Sequence, residues 1–466
     1  MLDAMLKARS VAVVGASATK AGGEDKLGTV ALRHLIQHGF PGAIYPVNPK
    51  ETEIAGLKCY ASLADISESV DLAVIAVPAK ASVGVMRECG AKGIKAAVVL
   101  ASGFAEAGDA KLQDELLSVA QAGGVRFLGP NTNGFISVVG DLVPCTSMVC
   151  AMDAFTKGDI AFITQSGAVG GSMLGTGTEE QGGFSHWISV GNEADLDIAD
   201  YLDYLVDDPD TKVVAMFIEG VRDPAKFTAA CARAAGAGKP VVVYKIGLSD
   251  VAGETAVSHT GAMVGSDAVF DAVCRKYGLI RVDDASELLP TAITFSWLRA
   301  KLPRGRNMGL IAPSGGICGV AADECHRARL EIPALDATAQ ETIRQYVPSF
   351  GAVRNPVDVT QQIRAYATGY QDTIRTVAEA KNIDGVILLV TMVAEPRASF
   401  YAEIFTEAAR ATDKPLIIGW TGAVSLASEA VPQLKRNHVP TYLSARGAVK
   451  AMRALVDYRE FLERRS

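Results

Sequence analysis

Short apolar runs rich in β-branched residues alternate with helix-like segments along almost the whole chain, and this rhythm constrains the fold more than any other feature. A continuous apolar run is the mark of a strand buried on both faces, as in a parallel sheet covered by helices. The pattern predicts an α/β protein made of three consecutive doubly wound units. In the first, strands are expected at 11–14, 43–47, 72–77, 96–100 and 126–128, with helices at 29–38, 80–92 and 110–122. An irregular stretch, 135–157, leads to a second series with strands at 160–163, 186–189, 213–217 and 241–245 and helices starting near Ala168, Leu196, Pro224 and Met263. A basic, Pro-containing segment at 297–306 reads as a surface linker. The third series begins at 308–312, continues through 386–390 and 416–418, and closes in a helix from Ala445 to about Arg464. No sequence period relates the three, so they share architecture without being a tandem repeat. The expected domains are 1–134, 150–298 and 306–466.

Charge and cysteine usage narrow the function classes. The 52 acidic and 45 basic residues, for a formal charge of −7, form no long run of either sign, which argues against a nucleic-acid surface or a polybasic membrane patch. Anionic small molecules must then be held by local sites. Eight cysteines without a CxxC pair read as reduced structural thiols, and no stretch resembles a signal core or a membrane span. A cytoplasmic protein is expected.

Four special turns follow the expected strands of the first unit. Val14-Gly15-Ala16-Ser17 is a strand running into a glycine turn, where backbone N–H groups can approach a phosphate. It lacks the full GxGxxG, and no acidic residue ends the second strand, which counts against NAD. That strand ends in Pro46-Val47-Asn48-Pro49-Lys50, placing Lys50 at the carboxyl edge of the sheet, either as a solvated lysine or as a phosphate ligand. Ser102-Gly103 and Gly129-Pro130-Asn131 supply the other two turns. Each alone is compatible with a simple connection; four on one edge point to a ligand crevice.

The second unit offers Gln165-Ser166-Gly167 at a helix start, where Ser166 either caps the helix or donates to a bound oxyanion. Its sharper feature is Ser258-His259-Thr260-Gly261, one of six histidines set in a polar, glycine-containing loop. An imidazole there can accept and return a phosphoryl group, given an anion site and a carboxylate on the far ring nitrogen. Ser166 and Gly167 are candidates for the first and Glu219, in Ile218-Glu219-Gly220, for the second. The other histidines lie in or beside regular elements, and no metal-ligand spacing or GxSxG appears.

Together these segments resemble the α subunit of ADP-forming acetyl-CoA synthetases and, more distantly, that of succinyl-CoA synthetase, over nearly the whole chain and in the right order. The resemblance implies a Rossmann-like CoA-binding domain followed by two flavodoxin-like ligase domains. It implies that His259 is phosphorylated, that Glu219 orients it, and that Ser166 and Gly167 begin the helix holding its phosphate. Gly15, Ser17, Lys50, Ser102 and Gly103 would lie along coenzyme A, with Asn131 near its thiol. Thr132 departs from the pattern, which often has cysteine there. The same resemblance implies ATP/ADP and Mg²⁺ chemistry on an ATP-grasp module. No glycine-rich, lysine-containing loop with paired carboxylates is found here, so a separate ATP-grasp β subunit in an α2β2-type assembly is expected, with a small carboxylic acid as substrate. The rivals are a non-catalytic CoA or acyl-CoA binding protein of this fold and a nicotinamide-dependent oxidoreductase.

Overall fold

Strand β1 (Ser10–Val14) is buried at every residue, as a parallel strand with neighbours on both sides must be. It follows a short helix α1 (Asp3–Leu6) and pairs in parallel with β2 (Ala43–Val47) and β3 (Leu72–Ile75). With β4 (Ala96–Val99) and β5 (Arg126–Leu128) the sheet order is β2-β1-β3-β4-β5. Helices α2 (Leu27–Gln37), α3 (Ala79–Lys92) and α4 (Ala110–Gly123) connect these strands. Because the chain steps from β1 outward to β2 and then crosses to β3 on the other side of β1, the strand order switches between β1 and β3. A crevice opens at the carboxyl ends of such neighbours. The computed structural model describes residues 2–18, 25–247, 266–366 and 368–465.

The second sheet repeats the device. Its order is β11-β10-β9-β7-β8-β6, with β6 (Phe135–Ser137), β7 (Lys157–Thr164), β8 (Phe184–Ser189), β9 (Val213–Ile218), β10 (Val241–Lys245) and β11 (Ile280–Arg281). All pairs are parallel except β6 with β8. Here the switch lies between β7 and β9. The strand β6, inside the stretch read as irregular, is three residues long and pairs across the edge, too short for its pattern to be read from sequence. The expected helix start at Met263 lies outside the described residues.

The chain divides into two compact units, Met1–Ala292 and Ile293–Ser466. Within the first, a single apolar cluster runs from Met5, Val11 and Leu72 to Ile163, Tyr201 and Met216, so the first two sheets share a core. Arg126 reinforces the join by donating through Nε to both oxygens of Asp195 at 2.8 Å. The second unit holds the third parallel sheet, of order β13-β12-β14-β15-β16: β12 (Met308–Ala312), β13 (Val357–Asp358), β14 (Gly385–Val390), β15 (Leu416–Trp420) and β16 (Thr441–Tyr442). The segment 297–306 is no free linker. Lys301 Nζ donates to the carbonyls of Ala409 and Thr412 at 2.8 and 2.7 Å, and Arg306 forks onto Glu460, which binds the segment into this unit.

A buried carboxylate with several partners fastens the first unit. His186 on β8 and Asp208, just beyond the helix Ile198–Asp207, approach to 3.3 Å with both side chains inaccessible, and Lys7 and Thr211 reach the same carboxylate at 3.2 and 2.7 Å. Burial alone would raise the pKa of Asp208, but these partners hold it well below the usual carboxylate range. Its stabilising contribution is therefore present at neutral pH and is lost only as pH falls through that lowered value. Asp208→Ala removes the acceptor of Thr211 and the partner of Lys7 and His186, so urea denaturation should show a loss of about 1–3 kcal/mol with an unchanged m-value. A loss under about 1 kcal/mol would show that this carboxylate does not hold the unit together.

Candidate active site

The first four turns meet at the carboxyl edge of the first sheet. Gly15 has φ +99°, and a Cβ there would sit 2.5 Å from the Ala76 carbonyl oxygen just beyond β3, so the turn after β1 accepts only glycine. Half-buried Ser17 is fixed through its backbone, which donates to Thr29 Oγ1 at 3.1 Å and accepts from it at 2.9 Å. Asn48 ties the next turn to this one: its Nδ2 donates to the Ala16 carbonyl at 2.7 Å, and its Oδ1 accepts the Lys50 amide at 3.0 Å. Lys50 is thus anchored by its backbone while its side chain is exposed. Ser102, also exposed, precedes Gly103, whose amide donates to Glu106 Oε1 at 2.5 Å. Asn131 adopts φ +56°, and its amide donates to the Ala101 carbonyl at 2.9 Å. The fold therefore gathers Gly15, Ser17, Lys50, Ser102, Gly103 and Asn131 along one edge. Thr132 is buried; its hydroxyl donates to the Ser189 carbonyl and accepts from the Gly134 amide, the bonds of a structural residue.

At the switch of the second sheet, Thr164 on β7 pairs with Phe217 on β9. Ser166 and Glu219 each stand two residues beyond that pair, at the same edge. Ser166 occupies the N-cap of α5 (Gly167–Glu179), yet its hydroxyl makes no capping bond. The glycines at this helix start permit close packing: a Cβ on Gly167 would lie 2.6 Å from Asn133 Nδ2, and one on Gly170 would lie 2.4 Å from Thr164 Cγ2. Glu219 is 7% exposed. Strand β10 ends at the same edge, with Lys245 paired to Ile218. The loop carrying His259 lies outside the described residues.

Three residues not singled out from sequence organise this edge. The Gln165 carboxamide spans the turn after β9: Oε1 accepts the amides of Glu219 and Gly220 at 2.5 and 3.0 Å, while Nε2 donates to the Gly220 carbonyl at 2.9 Å. That Nε2 also donates to Glu193 Oε2 at 2.9 Å, and Glu193 Oε1 accepts the Ile198 amide at 2.9 Å. Asn192, beside it, reaches the loops of the first sheet. The available signal was Gly191-Asn192-Glu193, a polar tripeptide directly after an apolar strand.

Burial pushes the Glu193 carboxyl up to about 7, against the opposing pull of the Ile198 amide, Gln165 and Arg222. A carboxyl raised above its unfolded value stabilises the folded state most at low pH; that contribution is lost as pH rises from the unfolded pKa through about 7. The difference amounts to about 3 kcal/mol. Glu193→Gln should therefore flatten the decline of melting temperature across this window, and a variant melting curve with the wild-type slope would contradict the assignment.

Among the described residues, no helix is long and apolar enough to cross a membrane, and no group of three acidic, His or Cys side chains is placed to hold a metal ion. Three family models match the chain: a CoA binding domain over residues 9–137, a succinyl-CoA ligase like flavodoxin domain over 157–295, and a ligase-CoA domain over 308–455. The alpha subunit of ADP-forming acetate–CoA ligase I from Pyrococcus furiosus is 35% identical, with 97% of each chain covered. ADP-forming acetate–CoA ligase II from Archaeoglobus fulgidus is 34% identical over 97% of this chain, which spans 66% of that longer protein. The structure of the dinucleotide forming acetyl-coenzyme A synthetase 1 of Ca. Korarchaeum cryptofilum, in complex with phosphate and ADP, matches with a TM-score of 0.90 at 30% identity, covering 100% of this chain and 99% of that one.

Proposed function

The chain belongs to the alpha-subunit family of ADP-forming acyl-CoA synthetases, in the succinyl-CoA synthetase superfamily, and on that premise we propose that it carries the CoA site and the phosphohistidine of such an enzyme. The supporting observation is the pairing of Ser166 and Glu219 two residues beyond matched positions at the switch of the second sheet. The α5 start, whose N-cap Ser166 makes no side-chain capping bond, and the buried Glu219 lie at that same edge, and a helix N-terminus favours a bound phosphate.

In this reading, acyl-CoA and phosphate exchange the thioester for an acyl phosphate and release the CoA thiol. The acyl phosphate then passes its phosphoryl group to the His259 imidazole, leaving the free carboxylate. Glu219 holds the far ring nitrogen, so that the attacking nitrogen keeps its lone pair. Ser166 and the amides from Gly167 onward hold the phosphate oxygens. ADP takes the phosphoryl group on an ATP-grasp module outside this chain, where Mg²⁺ also belongs. A separate β subunit fits the near-complete coverage of an alpha-subunit relative. The acid activated is a small carboxylic acid, and the two subunits together should form ADP from ATP only when CoA and such an acid are both present.

The residues at the first sheet's edge suit CoA. Gly15 offers a backbone with no Cβ, Gly103 and Asn131 have left-handed turns, and Lys50 projects a charge from a fixed backbone. Calorimetry on Lys50→Ala should show CoA binding weakened by about 1–3 kcal/mol, the value of one charge-assisted contact to a phosphate. An unchanged affinity would remove Lys50 from the site. NAD titrated in the same cell should give no heat.

A further inference from the structure

The CoA edge and the Glu219 turn belong to different sheets, yet one dipeptide is bonded to both. Asn192 is 4% exposed and Glu193 6%. Asn192 Nδ2 donates to Glu106 Oε2 and, at 3.0 Å, to Gln113 Oε1; its Oδ1 accepts from Asn131 Nδ2 at 3.1 Å, and its amide donates to the Pro130 carbonyl at 2.9 Å. Glu106 in turn holds the amides of Gly103 and Phe104 through Oε1 at 2.5 and 3.2 Å. One peptide bond further, Glu193 accepts from Gln165, whose carboxamide holds the amides of Glu219 and Gly220. Glu193 has φ +54°, a left-handed conformation that few non-glycine residues adopt, and it sends the two side chains toward their separate partners. The bonds to Gln113 and from Gln165 are buried and those to Glu106 and from Asn131 half-buried, so the dipeptide ties both edges through a largely enclosed network.

We infer that Asn192 and Glu193 are positioning residues that hold the CoA-side loops in register with the Glu219 turn, so that an acyl phosphate made beside CoA forms within reach of the histidine. The inference rests on the function proposed above. A register device affects only the reaction that spans both half-sites. Phosphorylation driven by acyl-CoA and phosphate needs the span; phosphorylation driven by ATP with the partner subunit uses the Glu219 side alone.

The test measures both labelling rates at saturating substrate in the complete enzyme. Asn192→Asp keeps the shape and the acceptor for Asn131 but sets a carboxylate against Glu106. It should slow acyl-CoA-driven labelling tenfold or more and leave ATP-driven labelling within about twofold. Adding Glu106→Gln restores a donor–acceptor pair in the reverse sense and should return the acyl-CoA-driven rate to within about threefold of wild type. Asn192→Ala, with melting temperature followed in parallel, should show the same split without rescue by Glu106→Gln. Equal loss of both rates, or no loss in either variant, overturns the inference, as does a double variant no better than Asn192→Asp. If wild type is labelled by neither donor, the phosphohistidine reading itself falls and the inference with it; if wild type is labelled by both and the variants match it, only the positioning role falls.

Discussion

His259→Asn is expected to abolish phosphoprotein formation from every donor, while the fold and CoA affinity stay at wild-type values. Asparagine keeps approximate size and polarity but offers no nucleophilic nitrogen, so the effect is the removal of the acceptor itself. Wild-type chain alone should gain phosphate from acyl-CoA plus inorganic phosphate, because the reading places both the CoA edge and the phosphoryl acceptor in this chain. ATP alone should not label it, since the nucleotide module is proposed to lie in the partner, and adding that subunit should make ATP effective. The label should be acid-labile and base-stable, as a phosphoramidate is. Intact-mass spectrometry at neutral pH reads all four conditions. Labelling of the isolated chain by ATP would contradict the two-subunit proposal, and phosphate on the Asn variant in the complete system at the wild-type level would place the nucleophile elsewhere.

The strands that could be read from sequence are those whose neighbours bury both faces. Ser10–Val14, Val213–Ile218 and Met308–Ala312 all carry continuous apolar runs, and their expected bounds differ from the observed ones by at most one residue. Three short edge strands escaped: Phe135–Ser137, Val357–Asp358 and Thr441–Tyr442 are two or three residues long and have too little pattern to show a period. The basic segment at 297–306 misled because its charges looked solvated, whereas Lys301 and Arg306 find carbonyl and carboxylate partners far along the chain. The site divides the same way. Gly15 and Gly103 are visible locally, because a positive φ or a close backbone approach demands glycine in the sequence itself. Asn192 and Glu193 are ordinary loop residues until tertiary structure supplies Glu106, Asn131 and Gln165, and Gln165 could be seen as part of a motif without any sign that its carboxamide templates the Glu219 turn.

That template makes Glu219→Gln a discriminating variant. The Glu219 and Gly220 amides are held by Gln165 Oε1 irrespective of the side chain at 219, so the backbone should keep its course and melting temperature should move little. In the proposed mechanism, what changes is the group presented to the imidazole. A carboxylate accepts the far N–H and favours the charge that develops as the near nitrogen attacks phosphorus; a carboxamide is neutral, and its NH₂ can instead donate and select the opposite tautomer. Both directions of transfer are proposed to pass through that same imidazole. Labelling by acyl-CoA with phosphate and labelling by ATP with the partner should therefore fall together, by about 10²–10⁴-fold, with CoA affinity unchanged. This contrasts with the split expected of Asn192→Asp, so the two variants separate the role proposed for Glu219 at the nucleophile from the positioning role inferred for Asn192. Rapid-quench labelling with both donors, alongside CoA calorimetry, makes the comparison; wild-type rates in Glu219→Gln would remove the carboxylate from the site.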